Sequence, residues 1–399
     1  MFEARHKKSD WTNRIFYIII SLLVTGCNLN KSNQHHFIEE NPNVTDLAID
    51  PVKANSIDTK SLIKEVKLIK LEKKNESLIG MVNEVRIALN NIYLLDRLSA
   101  SVYCFGMDGN FKFKIANQGR GPKEYIDAET FCIDEINKEI VLCERARKRV
   151  HRYDAMQGSF KDIIDLGIYV EQITKNKDRF FLVSDEYNKD KLQVYSSTMK
   201  KALLGYFPFD AKKNDYTPPQ IISNFRGNIL YTHPFADIIY QINEGSVKPI
   251  YNIDFGPYKI DPTFFKGDLS QIKQKENEFL TRKYASSIHF LLENEQYISF
   301  RYPHGKEFRQ VFLVKENNNI LNINQIKNQE TGFILPFPVA AYENYFVSVI
   351  YPTDIEVDMN RGVRVLNDEI EQDGLLAELQ HLKQDDNAAV LIYQIKMND

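Results

Sequence analysis

A pattern of two apolar runs joined by a short polar link recurs along this chain. That recurrence constrains the fold more than any single motif. Residues 91–115, NIYLLDRLSASVYCFGMDGNFKFKI, read as strand, polar link, strand, tight turn and strand. An Asp-Gly pair between apolar runs is a hairpin signal, because glycine tolerates the positive φ of the tight turn. Residues 140–153 (IVLCERARKRVHRY) and 229–242 (ILYTHPFADIIYQI) repeat the pattern position for position. A pattern that returns at near-regular steps marks a building unit.

The second strand of each unit begins at Ile92, Ile140, Phe181, Ile229, Tyr297 and Phe346, so the steps are 48, 41, 48, 68 and 49 residues. Four short strands with their turns fill such a step; two or five do not. Each unit opens with its own inner strand, at residues 83–89, 130–134, 170–174, 220–224, 287–292 and 337–341. The long step contains residues 262–283, where Phe264, Phe265, Leu269, Ile272 and Phe279 form a helical stripe, an insertion between units. In the sixth unit residues 365–384 have helical composition, and the pattern then resumes with AVLIYQIK at 389–396.

Sheets of this kind have two apolar faces and cannot stand alone, and a radial arrangement buries both. The chain is therefore expected to be all-β, a six-bladed β-propeller of four-stranded antiparallel blades with short helical insertions. Rings of five or seven blades and an open β-solenoid are the alternatives. Residues 62–72, LIKEVKLIKLE, alternate apolar and charged, belong to no unit, and the last unit stops at its third strand. The N-terminal strand is thus expected to close the last blade.

The 399 residues, rich in Phe (25) and Tyr (21), suffice for a core of this size. A net charge of −3 gives no reason to expect nucleic acid. Arg5, Lys7, Lys8 and Arg14 precede an apolar run at 15–24, too short to span a bilayer comfortably and suited to a signal peptide. The run ends in Leu-Val-Thr-Gly-Cys27, which resembles a bacterial lipobox whose cysteine is acylated. Residues 1–27 are read as lipoprotein signal peptide and lipobox, 28–59 as flexible tether, and 60–399 as the propeller domain. The expected location is the cell envelope, by a lipid anchor to the outer membrane, with periplasmic and surface faces both open. Cys104, Cys132 and Cys143 sit in apolar strand patterns and are expected as buried thiols, a Cys132–Cys143 disulfide being the alternative.

The segments LEKKNESLIGMVNEV (71–85), IYLLDRLSASVYCFGMDGNF (92–111) and QGRGPKEY (118–125) resemble the six-bladed propeller lipoproteins of bacteria, relatives of the NHL-repeat propellers. Gly119, Gly121, Pro122, Glu124 and Tyr125 keep that family's Gly-x-Gly-Pro-x-Glu-Tyr turn, while Cys143-Glu144 departs from its common Leu-Asp pair. The resemblance implies fold and export; it carries no settled catalytic motif.

In a propeller the links between second and third strands share one face with the inter-blade loops. That face gathers Arg97, Arg120, Arg145, Tyr187, His233, Arg301, His304 and Tyr351 as candidate ligand-binding residues. Arginine forks hold carboxylates or phosphates, and aromatic rings stack on sugars. The expected partner is a glycan, a peptide or an envelope protein, bound without catalysis and without a cofactor. The Gly-Arg-Gly-Pro turn lacks the Lys-Ser/Thr ending of a phosphate loop, and no Ser-His-Asp order or HExxH is present. The alternative is a hydrolase or lyase with an axial divalent metal, held by His233 and His304 with Glu84, Asp96, Asp134 or Asn224.

Overall fold

In blade 1 the strands Asn91–Asp96 and Ser101–Gly106 are buried at every position. Both faces of the sheet are covered, which is why these strands read as unbroken apolar runs rather than alternating ones. The computed structural model describes residues 38–184, 188–210, 217–243, 245–329, 332–353, 379 and 381–396. Six antiparallel sheets follow one another in the order the repeats predict. Their inner strands are Glu84–Ala88, Thr130–Asp134, Val170–Asn176, Ile222–Phe225, His289–Glu293 and Ala340–Tyr342. Each packs beside the inner strands of both neighbouring blades, so the ring is closed around an axis.

Ring closure uses the N-terminal strand, as expected. Ile63–Lys70 pairs antiparallel with Ala389–Ile395, in a register from Lys70↔Ala389 to Ile63↔Ile395. The outermost hairpin of blade 1, between Ser101–Gly106 and Phe111–Ile115, meets the closing strand directly. Gly109 takes φ +84°, and a Cβ there would collide with the Lys70 carbonyl. The Glu72 N–H donates to Gly109 O at 2.9 Å. The Asp-Gly turn thus locks blade 1 to the closing strand, and its glycine is required both by conformation and by close approach.

Residues expected as tether are in part structured. Thr45–Ala48 pairs parallel to Ser246–Asp254 of blade 4, and Asn55–Asp58 pairs parallel to Ile320–Lys327 of blade 5. Leu47 and Ile49 enter the core between blades 4 and 5. These additions cover edges that would otherwise present unpaired backbone groups to water. Cys27 and the rest of the signal segment lie outside the described residues, as do Tyr187 and most of 365–384.

Of the stripe at 262–283, Leu269, Ile272 and Phe279 fall in the helix Leu269–Arg282, while Phe264 and Phe265 lie in the turn before it. Its N-cap Asp268 makes a capping box with Gln271, and Lys283 ends it in the left-handed region. Cys104, Cys132 and Cys143 are buried free thiols. Cys143 stands opposite Thr130, whereas Cys132 stands opposite Val141, so the register separates the two. Burial pushes the Cys104 thiol up to about 12 and Cys143 well above the ordinary range.

Candidate functional site

The upper mouth of the axis is formed where the inner strands begin. Here blades 1, 2 and 3 contribute Glu84, Glu129 and Glu171 around a cavity of about 430 Å3, which Arg86, Arg97, Gln172 and Phe290 also line. Arg97 is the hub. Its Nε donates to Glu129 O at 2.7 Å, and its terminal nitrogens lie 3.3 Å from Glu129 Oε1 and 3.4 Å from Glu84 Oε1. The backbone N–H of Arg97 donates to Asn83 Oδ1 at 2.7 Å, which fixes where the link turns. Arg86 pairs with Glu84 Oε2 at 3.0 Å.

Burial raises the Glu129 carboxyl above its ordinary range, although Arg97 and Arg145 pull it down. The opposing causes follow from one arrangement, a partly desolvated acid with two cations and two further carboxylates, Glu84 and Glu171, nearby. Gln172 bridges to the loop before blade 4. It donates to Pro218 O at 2.8 Å and accepts from Ile221 N at 2.7 Å. The mouth is therefore polar, of mixed charge and braced by backbone contacts.

Below it lies a narrower space of about 170 Å3. Val85, Cys132, Ile173, Ile222, Leu292 and Ala340 line it, one from each blade. All six are buried, and Arg86, Lys175, Asn224 and Glu293 line the same space, so its open surface is largely polar. At the lower end, beside the turns between first and second strands, Lys175 meets Asp134 at 2.5 Å.

Of the residues expected to line one site, Arg97 alone among the described ones lines this mouth. Arg301 packs beside it: its guanidinium lies 4.2 Å from the centroid of the Phe290 ring and donates to Pro338 O at 2.5 Å. Burial pushes the Arg301 pKa down to about 10. His233 stacks on Phe207 of blade 3 with centroids 5.1 Å apart and planes within 10°. His304 is buried and meets Tyr258 edge-on at 5.3 Å. Arg145 lies over Tyr169, and the Tyr351 hydroxyl accepts from Val82 N at 2.6 Å.

Arg120 is exposed at the tip of the QGRGPKEY turn, whose other residues hold blades 1 and 2 together. Glu124 accepts from Gly121 N at 2.6 Å, and the buried Tyr125 hydroxyl donates to Ala100 O at 2.8 Å. Arg147 completes the joint by donating to Glu124 O at 2.9 Å. The Glu144 carboxylate, at the family's departure point, accepts from Ile126 N and lies 2.9 Å from His151 Nε2.

The oxygen donors considered for an axial metal divide between the two ends. Glu84 is at the upper mouth, while Asp134 and Asn224 are at the lower turns, and Asp96 is spent on the N–H groups of Leu98, Ser99 and Gly80. Among the described residues, no group of three or more His, Cys, Asp and Glu side chains is placed to hold a metal ion. Glu129, Glu171 and Phe290 were not singled out in the sequence. The two acids lie near the start of an inner strand, as Glu84 does, but the strand register sets Thr130 rather than Glu129 level with Glu84 and leaves Glu171 in a bulge, so the repeat alone does not align them.

The sequence signature of a family described as a domain of unknown function, DUF4934, matches residues 43–394. The chain belongs to the DUF4934 family. The DUF4934 match begins just before the strand on blade 4 and ends in the last strand of blade 6, so it spans the whole ring. No curated protein matches the sequence. In structure the DUF4934 propeller is similar to a "putative exported protein" of Bacteroides fragilis, at a TM-score of 0.73 and 21% identity, covering 88% of this chain and 100% of that one. It is also similar to a member of the DUF4221 family from Bacteroides vulgatus, at a TM-score of 0.50 and 9% identity, over 85% and 98% of the two chains. At such identities the likeness is one of fold.

Proposed function

We propose that this DUF4934 protein is an exported, lipid-anchored propeller that binds a glycan at the upper mouth of its axis and performs no reaction on it. The observation that carries the reading is the mouth itself. Three carboxylates, two guanidinium groups, three amides and an aromatic ring converge on one cavity from several blades. Carboxylates and arginines take up sugar hydroxyls by charge-assisted hydrogen bonds, and a ring supplies the apolar contact.

The anchor reading rests on Leu-Val-Thr-Gly-Cys27 and its basic, apolar lead, and on the likeness of the first two blades to propeller lipoproteins. The name of the Bacteroides fragilis relative agrees with export. Two acyl chains would hold the protein at a membrane where one would not.

Screening purified protein against envelope oligosaccharides by calorimetry tests the binding role. Arg97→Ala and Glu129→Gln are expected to weaken a bound glycan about tenfold or more each, a loss of roughly 1.4 kcal/mol. Equal affinity in both variants would move the site away from the mouth, and binding of peptides alone would replace the glycan by a protein partner. Metabolic labelling with an alkyne fatty acid tests the anchor: label in the wild type and none in Cys27→Ser is expected.

A further inference from the structure

A second cavity, of about 550 Å3, lies off the axis on the same face, between the insertion after blade 4 and the hairpin of blade 5. Its walls are Phe235 from blade 4, Phe265, Ile272 and Phe279 from the insertion, and Pro303 and Phe308 from blade 5. Phe308 is 45% exposed at the entrance. The exposed ring is continuous with an open apolar cavity, the kind of concave apolar surface that takes up ligands.

The helix Leu269–Arg282 exists to build this wall. Its Phe279 packs with Phe265 at 5.7 Å between centroids, and Phe265 reaches Phe235 at the same separation. The inner end of the cavity is polar. Ser286, Ser287 and His289 line it, and all three are buried. Ser286 and the Ser287 N–H are both occupied by Asp237, whose carboxylate accepts from them at 3.3 and 3.0 Å. The Ser287 hydroxyl, by contrast, is buried without a protein hydrogen-bond partner, in a residue only 3% exposed and held at φ +68°. A buried hydroxyl in that state is costly, and a ligand that pairs with it offsets the cost.

The charge around the cavity is balanced. Lys266 and Glu276 both line it, one of each sign. His289 meets Phe308 edge-on at 5.2 Å, and burial, with Arg301 close by, pushes its pKa down to about 4, so the imidazole is neutral at physiological pH. Nothing in the lining selects an ion.

We infer that this cavity is a binding site for a neutral, planar aromatic or polycyclic small molecule, whose single hydroxyl or carbonyl group pairs with the Ser287 hydroxyl. The size suits the class, since pockets of roughly 300–1,000 Å3 house drug-sized ligands. The site is independent of the axial mouth, with which it shares no lining residue.

N-phenyl-1-naphthylamine, a neutral fluorescent probe, tests the inference on the purified protein. Saturable binding at one site per chain is expected. Ile272→Trp, which fills the cavity, should weaken it at least about tenfold, and Phe308→Ala, at an exposed position, by about threefold. Arg97→Ala, in the other cavity, should leave it unchanged. In displacement, 1-naphthol should compete about fivefold better than naphthalene, and Ser287→Ala should erase that preference. Thermal melting of each variant separates loss of the site from loss of the fold. Absence of saturable binding, or unchanged affinity in both folded Ile272→Trp and Phe308→Ala, overturns the site. Loss of binding in Arg97→Ala would assign the probe to the mouth instead, and a naphthol preference that survives Ser287→Ala overturns the polar anchor.

Discussion

Lys175 Nζ lies 2.5 Å from Asp134 Oδ2, with the two side chains only 4% and 2% exposed, and this ion pair ties the inner strand of blade 3 to that of blade 2. Burial pushes the Asp134 carboxyl up, but hydrogen bonds from Lys175 and Asn137 outweigh it and hold the group below its ordinary range. The neighbouring Asn224 donates to the Lys175 carbonyl at 2.5 Å, extending the tie to blade 4. Lys175→Met should therefore cost about 3–5 kcal/mol, because it leaves a buried carboxylate without its cation. Adding Asp134→Asn should recover roughly half of that loss, measured by urea unfolding in a double-mutant cycle. Strict additivity of the two changes would show that the pair is not coupled.

The ring should depend on its closing strand but not on the residues before it. A chain beginning at residue 60 loses the two parallel strands on blades 4 and 5 yet keeps Ile63–Lys70, and is expected to fold with lowered stability. A chain beginning at residue 73 loses the closing strand, uncovers the edge of Ala389–Ile395, and should unfold or aggregate. Equal melting temperatures for the second chain and the full one would contradict closure by this strand.

Asp237 sets a pH dependence. Burial raises its carboxyl from 3.8 to about 6, against the hydrogen bonds from Ser287 and Ser286. The folded protein then keeps a proton between about pH 4 and 6 that the unfolded chain has lost. Stability from this group is full below pH 4 and declines as pH rises through 6, by roughly 3 kcal/mol for a shift of about two units. Asp237→Asn should abolish that decline, so the variant gains on the wild type from pH 4 upward. A difference between the two proteins that does not change with pH in denaturant titrations would refute the assignment.

Arg97 and Arg301 should differ in kind. Arg97 is 41% exposed, so its pairs with Glu84 and Glu129 contribute little, and Arg97→Ala should cost under about 1 kcal/mol. Arg301 packs on Phe290 and Phe337 and donates to Pro338 O and Gln310, so Arg301→Ala should cost about 2–3 kcal/mol. Urea midpoints for the two variants that fall together would reject this contrast.

The blades, the helical insertion and the closing strand were legible because burial is written locally. A strand such as Asn91–Asp96, covered on both sides, is apolar without a break from Ile92 to Leu95, and one such as Ile63–Lys70, covered on one, alternates. Thr45–Ala48 and Asn55–Asp58 escaped notice because they are short, mostly polar and pair with strands about two hundred or more residues away. No local period records such a pairing.

The polar face divides in the same way. The repeat told that link residues from six blades share one side, since that follows from the topology. It did not tell which of them meet. Arg97 reaches the mouth, whereas His233 is held by Phe207 and His304 by Tyr258, because each link points where its neighbour's packing leaves room. Glu84, Glu129 and Glu171 come together only when blades 1, 2 and 3 are set around an axis, across 45 and 42 residues of sequence. Sequence alone thus determined the blade and its repetition, which depend on local burial. The tertiary structure decided the mouth and the aromatic cavity, whose contacts join residues far apart in the chain.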